Sequence, residues 1–369
     1  MWRILLTNLQ ILSIFLEKNT LTDEGKIMQL LKKLCGTPGS SGQENQIREL
    51  IIKEMKPLVD TVRTDKMGNV IGFKKGKGKN KVMLAAHMDE IGFVVSFIDE
   101  NGFIRFQPTG GFDPRTMMAQ RVIVHGKKPL LGVMGSKPVH ILTDEEKKKI
   151  LQVTDYFIDL GLPVDQVKKQ VQVGDPITMD RVMEKMGDCY TTKAFDDRMG
   201  VYCMLEAVRK VKKHTVNIYV VATTQEEVGL RGAFASSSGI EPDVGIALDV
   251  TLANDVPGAA KHEYVTELGK GTAISVLNGS AISNPKLVQE LKELADKKKI
   301  PYQMDILPRG GTDAGAIQRV KGGAAVITLS IPTRYVHSTV ETCHKVDIQA
   351  TIDLLAAYLE AATDKDYVL

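Results

Sequence analysis

Val216-Asn217-Ile218-Tyr219-Val220-Val221-Ala222-Thr223-Thr224-Gln225-Glu226-Glu227-Val228-Gly229 is the stretch from which the rest of this chain can be read. Residues 216–222 are mostly apolar and β-branched, the pattern of a buried strand. Gly229 permits a sharp turn soon after. Glu226 and Glu227 then stand where a buried strand ends. Two adjacent carboxylates there cost free energy unless something compensates their charge. A metal ion does so: one carboxylate binds the ion while its neighbour, aimed differently, handles a proton on water. An isolated Glu-Glu pair is more often a solvated loop, so the surrounding chain has to decide.

At 369 residues the chain is long enough for two domains. A net charge of +3 does not point to a nucleic-acid partner. Cys35, Cys189, Cys203 and Cys343 form no CxxC pair, which fits a reducing compartment and neither a disulfide framework nor a zinc knuckle. Residues 1–16 are apolar with Arg3 near the start, but Asn8 and Gln10 interrupt them and no A-x-A-like cleavage site follows. That segment is too short and polar to span a membrane. Residues 1–19 are therefore expected to be a leader or peripheral helix without an assigned role, on a cytoplasmic protein with no membrane partner.

Outward from the central stretch, Ser41-Gly42-Gln43-Glu44 has the form of a capping box before a helix carrying Ile47, Leu50, Ile51 and Met55. Strands are expected at 70–73 and 82–86, the second running into His87-Met88-Asp89. From 92 to 180 the texture changes. Short apolar pieces at 93–98, 122–124, 130–134 and 176–179 alternate with Gly, Pro and charged turns, as in a small inserted β-rich domain. The α/β pattern resumes with a helix through Val201, Met204, Leu205 and Val208, then the central strand. A strand at 244–248 ends in Asp249. Val288, Leu291 and Leu294 mark a helix, 324–330 a strand, and Ile348, Ile352, Leu355 and Leu359 the last helix. This alternation implies a mainly parallel or mixed sheet covered on both faces, split into residues 20–91 and 181–369 around the insert at 92–180.

Potential metal ligands recur after the strands: His87 and Asp89, Glu226 and Glu227, Asp249, and His337. Asp196 and Asp197 open a helix. Sites in open α/β sheets form outside the carboxyl ends of strands, so these distant residues are expected to meet. The set suits two divalent ions such as Zn²⁺, Co²⁺ or Mn²⁺. His87 and Asp249 would hold one, His337 and Glu227 the other. An aspartate of the 196–197 pair would bridge them; spacing does not separate the two. Glu226 is left as the general base, and Asp89 is placed to fix the tautomer of His87.

The chain resembles the M42 metallopeptidases, the glutamyl and TET-like aminopeptidases. The resemblance rests on Ala86-His87-Met88-Asp89-Glu90-Ile91-Gly92, Ala194-Phe195-Asp196-Asp197-Arg198, Gln225-Glu226-Glu227-Val228-Gly229, Ala247-Leu248-Asp249-Val250, Gly311-Thr312-Asp313-Ala314-Gly315 and Arg334-Tyr335-Val336-His337-Ser338. These six motifs stand in the family's order over residues 30–362. The resemblance implies an αβα sandwich, phosphorylase/hydrolase-like, with an inserted PDZ-like β domain. It implies Asp196 as the bridge and aminopeptidase action on short peptides. It also implies a homo-oligomer, a dodecamer built of dimers that form through the insert. His262, His344 and Asp313 are further residues that could contact substrate.

Three other readings are compatible with parts of this pattern. A dinuclear deacylase would use the same ligands. An endoglucanase needs two carboxylates and leaves His87, His337 and Asp249 without a role. A non-catalytic scaffold has no use for Glu226.

Overall fold

The computed structural model describes residues 23–369; the leader expected over 1–19 lies outside them. The central strand is Asn217–Thr223. Its side chains alternate between two cores. Ile218, Val220 and Ala222 join one with Leu31, Ile47, Met204, Leu291 and Leu355. Val221 joins the other with Met83, Val326 and Ile317. Each fully buried Val, Leu, Ile or Met side chain among them stabilises the fold by roughly 1.5–3 kcal/mol. Helices thus cover both faces, as the alternating pattern requires.

Among the described residues eleven strands form one mixed sheet. Asn217–Thr223 lies antiparallel to Val70–Lys74 and parallel to Lys81–His87. Lys81–His87 is in turn parallel to Val244–Leu252, and that strand to Ala325–Arg334. The register matters for function. Thr223 pairs with His87, and Ala247 with Ala85, so Asp249 stands level with His87. Four parallel strands therefore deliver their carboxyl ends to one edge of the sheet.

Gly92–Ile98, Ile104–Thr109, Arg121–His125, Pro129–Gly135, Phe157–Asp159 and Pro176–Met179 close a barrel. Its own core includes Phe93, Phe106, Val122, Val124, Ile158 and Ile177. Closure pairs strand edges that would otherwise be exposed. Ile104–Thr109 and Phe157–Asp159 are absent from the sequence expectation. The first puts Arg105 and Gln107 on its exposed face, and the second is three residues long, so neither shows an apolar run.

Three local expectations change. Ser41 and Glu44 make no capping box. Helix Asn45–Met55 has no side-chain cap, and Ser41 Oγ instead donates to Asp89 Oδ2 at 2.6 Å. A charge-assisted bond to a buried carboxylate is stronger than a neutral cap. Strand Val244–Leu252 continues past Asp249, because pairing with Ala325–Arg334 persists to Leu252. Helix Pro285–Lys298 buries Leu287, Leu291 and Ala295, while Val288 and Leu294 are only partly buried. Among the described residues no helix is long and apolar enough to cross a membrane.

Candidate active site

The turn after the central strand is built by close approach. Gly229 has φ +122°, and a Cβ on Gly232 would stand 2.4 Å from the Thr224 carbonyl oxygen. Gln225, Ala194, Tyr335 and His337 all have left-handed φ values between 53° and 61°. Such non-glycine conformations cost energy and cluster at functional sites.

His87, Asp196 and Asp249 form one potential metal-ligand group, with one donor atom from each residue within 4.8 Å of the others. Asp196, Glu227 and His337 form a second on the same criterion. Asp196 lies between the imidazoles: its Oδ1 is 2.9 Å from His87 Nε2 and its Oδ2 is 3.3 Å from His337 Nε2. Glu227 Oε2 is 3.4 Å from His337 Nε2. Asp197 points elsewhere. Across a cis peptide from Asp196, it accepts from the His87 and Gly200 amides at 3.1 and 2.9 Å. Glu226 belongs to neither group; its Oε2 is 3.9 Å from His87 Nε2.

The electrostatics of this edge are lopsided. Burial raises the Glu226, Glu227 and Asp249 carboxyls, and repulsion from neighbouring carboxylates adds to it, taking Glu227 to about 8. Burial opposes protonation of His337, yet Asp196 and Glu227 raise its imidazole to about 10. Glu227 Oε1 is buried without a hydrogen-bond partner among the described residues. Nitrogen and oxygen donors, a shared carboxylate and an orphaned ligand oxygen together fit divalent cations.

Asp89 does more than the sequence reading asked of it. His87 Nδ1 is 3.5 Å from Asp89 Oδ1 and nearer, at 3.2 Å, to its backbone carbonyl. The same carboxylate accepts from the Glu226 and Glu227 amides. Glu341 went unnoticed in the sequence. It is buried in strand Glu341–His344 and accepts from the amides of Asp196 at 3.0 Å and His337 at 2.9 Å. The strand reads Glu341-Thr342-Cys343-His344, with no apolar run to mark it, so the sequence offered no clear signal for Glu341. A second unpredicted group lies alongside: Glu90 pairs with Lys193, and fully buried Arg198 ties the Leu34 and Thr37 carbonyls to this region.

Of the three further residues, Asp313 lies close by. It is buried, it accepts from Thr223 Oγ1 at 2.5 Å, and burial raises it to about 6. His344 caps the last helix by accepting from the Val346 amide. His262 is exposed on a short turn. The pocket over the centre has a volume of about 480 Å³ and is walled by Leu230, Leu252, Leu307, Arg309 and Val336.

A family model described as M42 glutamyl aminopeptidase matches residues 68–354. The chain belongs to the M42 aminopeptidase family. This M42 aminopeptidase is 39% identical over 349 residues to the lysyl aminopeptidase of Pyrococcus furiosus, covering 92% of this chain and 98% of that one. Among solved structures, aminopeptidase APDkam598 of Desulfurococcus kamchatkensis matches with a TM-score of 0.89 at 44% identity, over 92% of this chain and 96% of that one. The Pyrococcus horikoshii TET1 peptidase, which can assemble into a tetrahedron or a large octahedral shell, matches at 0.81 and 32% identity, over 90% and 99%.

Proposed function

We propose that this M42 aminopeptidase is a dinuclear enzyme that removes the N-terminal residue from short peptides, with Glu226 as general base. The observation carrying this is the pair of ligand groups that share Asp196, with Glu226 in neither group and 3.9 Å from His87. His87 and Asp249 would hold one ion, His337 and Glu227 the other, and Asp196 both; Zn²⁺, Co²⁺ and Mn²⁺ suit the set. When bound, the ions supply Lewis acidity and a water of lowered pKa. Glu226 takes the proton of the attacking water and returns it to the leaving amine. Nearby carboxylates offer a partner to a free α-ammonium group, which restricts cleavage to the chain end. The test is a matched panel of free-amine and N-acetylated aminoacyl substrates. Hydrolysis of the free amines alone is expected. Preference for the acetylated set would favour the deacylase reading, and cleavage of β-glucan that survives chelation the endoglucanase reading.

Asp89 acts through its neighbours and not on substrate. Asp89→Asn keeps the shape and weakens the hold on His87 and on the Glu226 turn. Metal affinity or activity is expected to fall roughly 10–100-fold, as for other outer ligand partners. Titration of ion binding, run beside turnover, reads it; no change in either would remove Asp89 from the site.

The barrel carries none of the proposed ligands. It exposes Phe97, Leu131 and Val133, and the segment between Pro129–Gly135 and Phe157–Asp159 exposes Val139, Ile141 and Ile150, apolar side chains that a second subunit would cover. We assign it, as the PDZ-like insert at 92–180, to dimerisation, and the dimers to a dodecamer whose enclosed sites admit short peptides in a cytoplasmic setting. Analytical ultracentrifugation is expected to find a large homo-oligomer. Replacing the insert with a short linker should give small folded species. A fully active monomer at micromolar concentration would overturn the assembly role.

A further inference from the structure

The amides of Gln225, Glu226 and Glu227 are held by side chains from elsewhere in the chain. Gln225 N–H donates to Glu44 Oε1 at 3.3 Å, Glu226 N–H to Asp89 Oδ1 at 3.0 Å and Glu227 N–H to Asp89 Oδ2 at 3.3 Å. Two carboxylates thus carry three consecutive donors. Both carboxylates meet at residues 39–44, the turn before helix Asn45–Met55. Ser41 Oγ donates to Asp89 Oδ2 at 2.6 Å, and Gly42 N–H donates to Glu44 Oε1 at 2.7 Å. The turn is itself anchored beside the site, by Gly39 N–H to Glu90 Oε1 at 3.1 Å and Glu90 N–H to the Gly39 carbonyl at 3.0 Å. Glu44 and Asp89 are 2% and 0% exposed, so water does not readily replace either bond.

We propose that Ser41 and Glu44 are positioning residues for the base. Through Asp89 and the Gln225 amide they fix where the Glu226 carboxylate stands relative to His87. Two physical reasons lead there. Gln225 sits at φ 53°, a conformation a non-glycine residue keeps only when its surroundings impose it. An amide in this half-buried turn that loses its acceptor leaves an uncompensated donor, and the turn relaxes to recover one. A base displaced by about an ångström loses much of its effect. The proposed ligand side chains take no part in these bonds: Asp89 Oδ2 holds the Glu227 amide and not its carboxylate, and His87 meets Asp89 on the opposite nitrogen from Asp196. Loss of Ser41 or Glu44 should therefore appear in turnover and not in ion occupancy. The inference rests on Glu226 being the base, but the turn's rigidity can be read without activity.

The experiment uses the full-length, ion-loaded enzyme with Ser41→Ala, Ser41→Thr, Glu44→Ala and Glu44→Gln. Ser41→Ala and Glu44→Ala are expected to lower kcat about tenfold, with KM for a short peptide and bound-ion content unchanged. Ser41→Thr keeps the hydroxyl and should restore most of kcat, and Glu44→Gln keeps an acceptor should Glu44→Ala fail to fold. Hydrogen exchange at residues 225–227 should quicken in Ser41→Ala and Glu44→Ala. The proposal is overturned if exchange there matches wild type, if kcat stays within twofold, if Ser41→Thr is as slow as Ser41→Ala, or if the loss follows lost ions. An inactive wild type with the expected exchange pattern would instead count against the aminopeptidase reading and leave the positioning role standing.

Discussion

Treatment with a chelator is expected to abolish peptide hydrolysis, and Zn²⁺, Co²⁺ or Mn²⁺ to restore it. Asp196, Glu226, Glu227 and Asp249 converge at one sheet edge with two imidazoles. Burial and mutual repulsion raise three of those carboxyls, a measure of how much positive charge the pocket can take up. Replacing a compensating cation with nothing leaves buried charge unpaired, which costs several kcal/mol per ion by order of magnitude. Chelation should therefore also lower the melting temperature, since a ligand bound only by the folded state stabilises it. Elemental analysis beside the assay settles the matter: full activity in protein verified as metal-free sinks the proposal.

Glu226→Gln is expected to lower turnover by about 10²–10⁴ while ion occupancy stays at the wild-type level. The amide is nearly the same shape as the carboxylate and accepts no proton. Glu226 stands outside both ligand groups, so its loss does not open either one. Glu227→Gln is expected to act in the opposite sense, emptying one site, because Glu227 belongs to the group with Asp196 and His337. The two variants, assayed for kcat and for bound ions, separate the roles of adjacent residues. Lost ions in Glu226→Gln with retained ions in Glu227→Gln would reverse the assignment.

The alternating α/β pattern, the central strand and the change of texture after residue 91 were legible in the chain itself, because burial on both sheet faces demands near-continuous apolar runs. So was the set of residues at strand ends, since a charged side chain directly after such a run is costly unless used. The two barrel strands that escaped notice are short or polar on one side. Asp196 and Asp197 are identical residues one position apart, so the chemistry of the chain did not rank them. The fold points one between His87 and His337 and the other at backbone amides. Ser41 and Glu44 read as a capping box because a local partner was the only one visible. In the folded chain they face Asp89 and Gln225, residues 48 and 181 positions away. Glu341 likewise gains meaning from the amides of Asp196 and His337. Composition and periodicity determined where the central strands and helices lie and which polar residues stand at the strand ends. Register and tertiary contact decided which of them meet, because a hydrogen bond depends on distance and direction, and neither is encoded by local pattern.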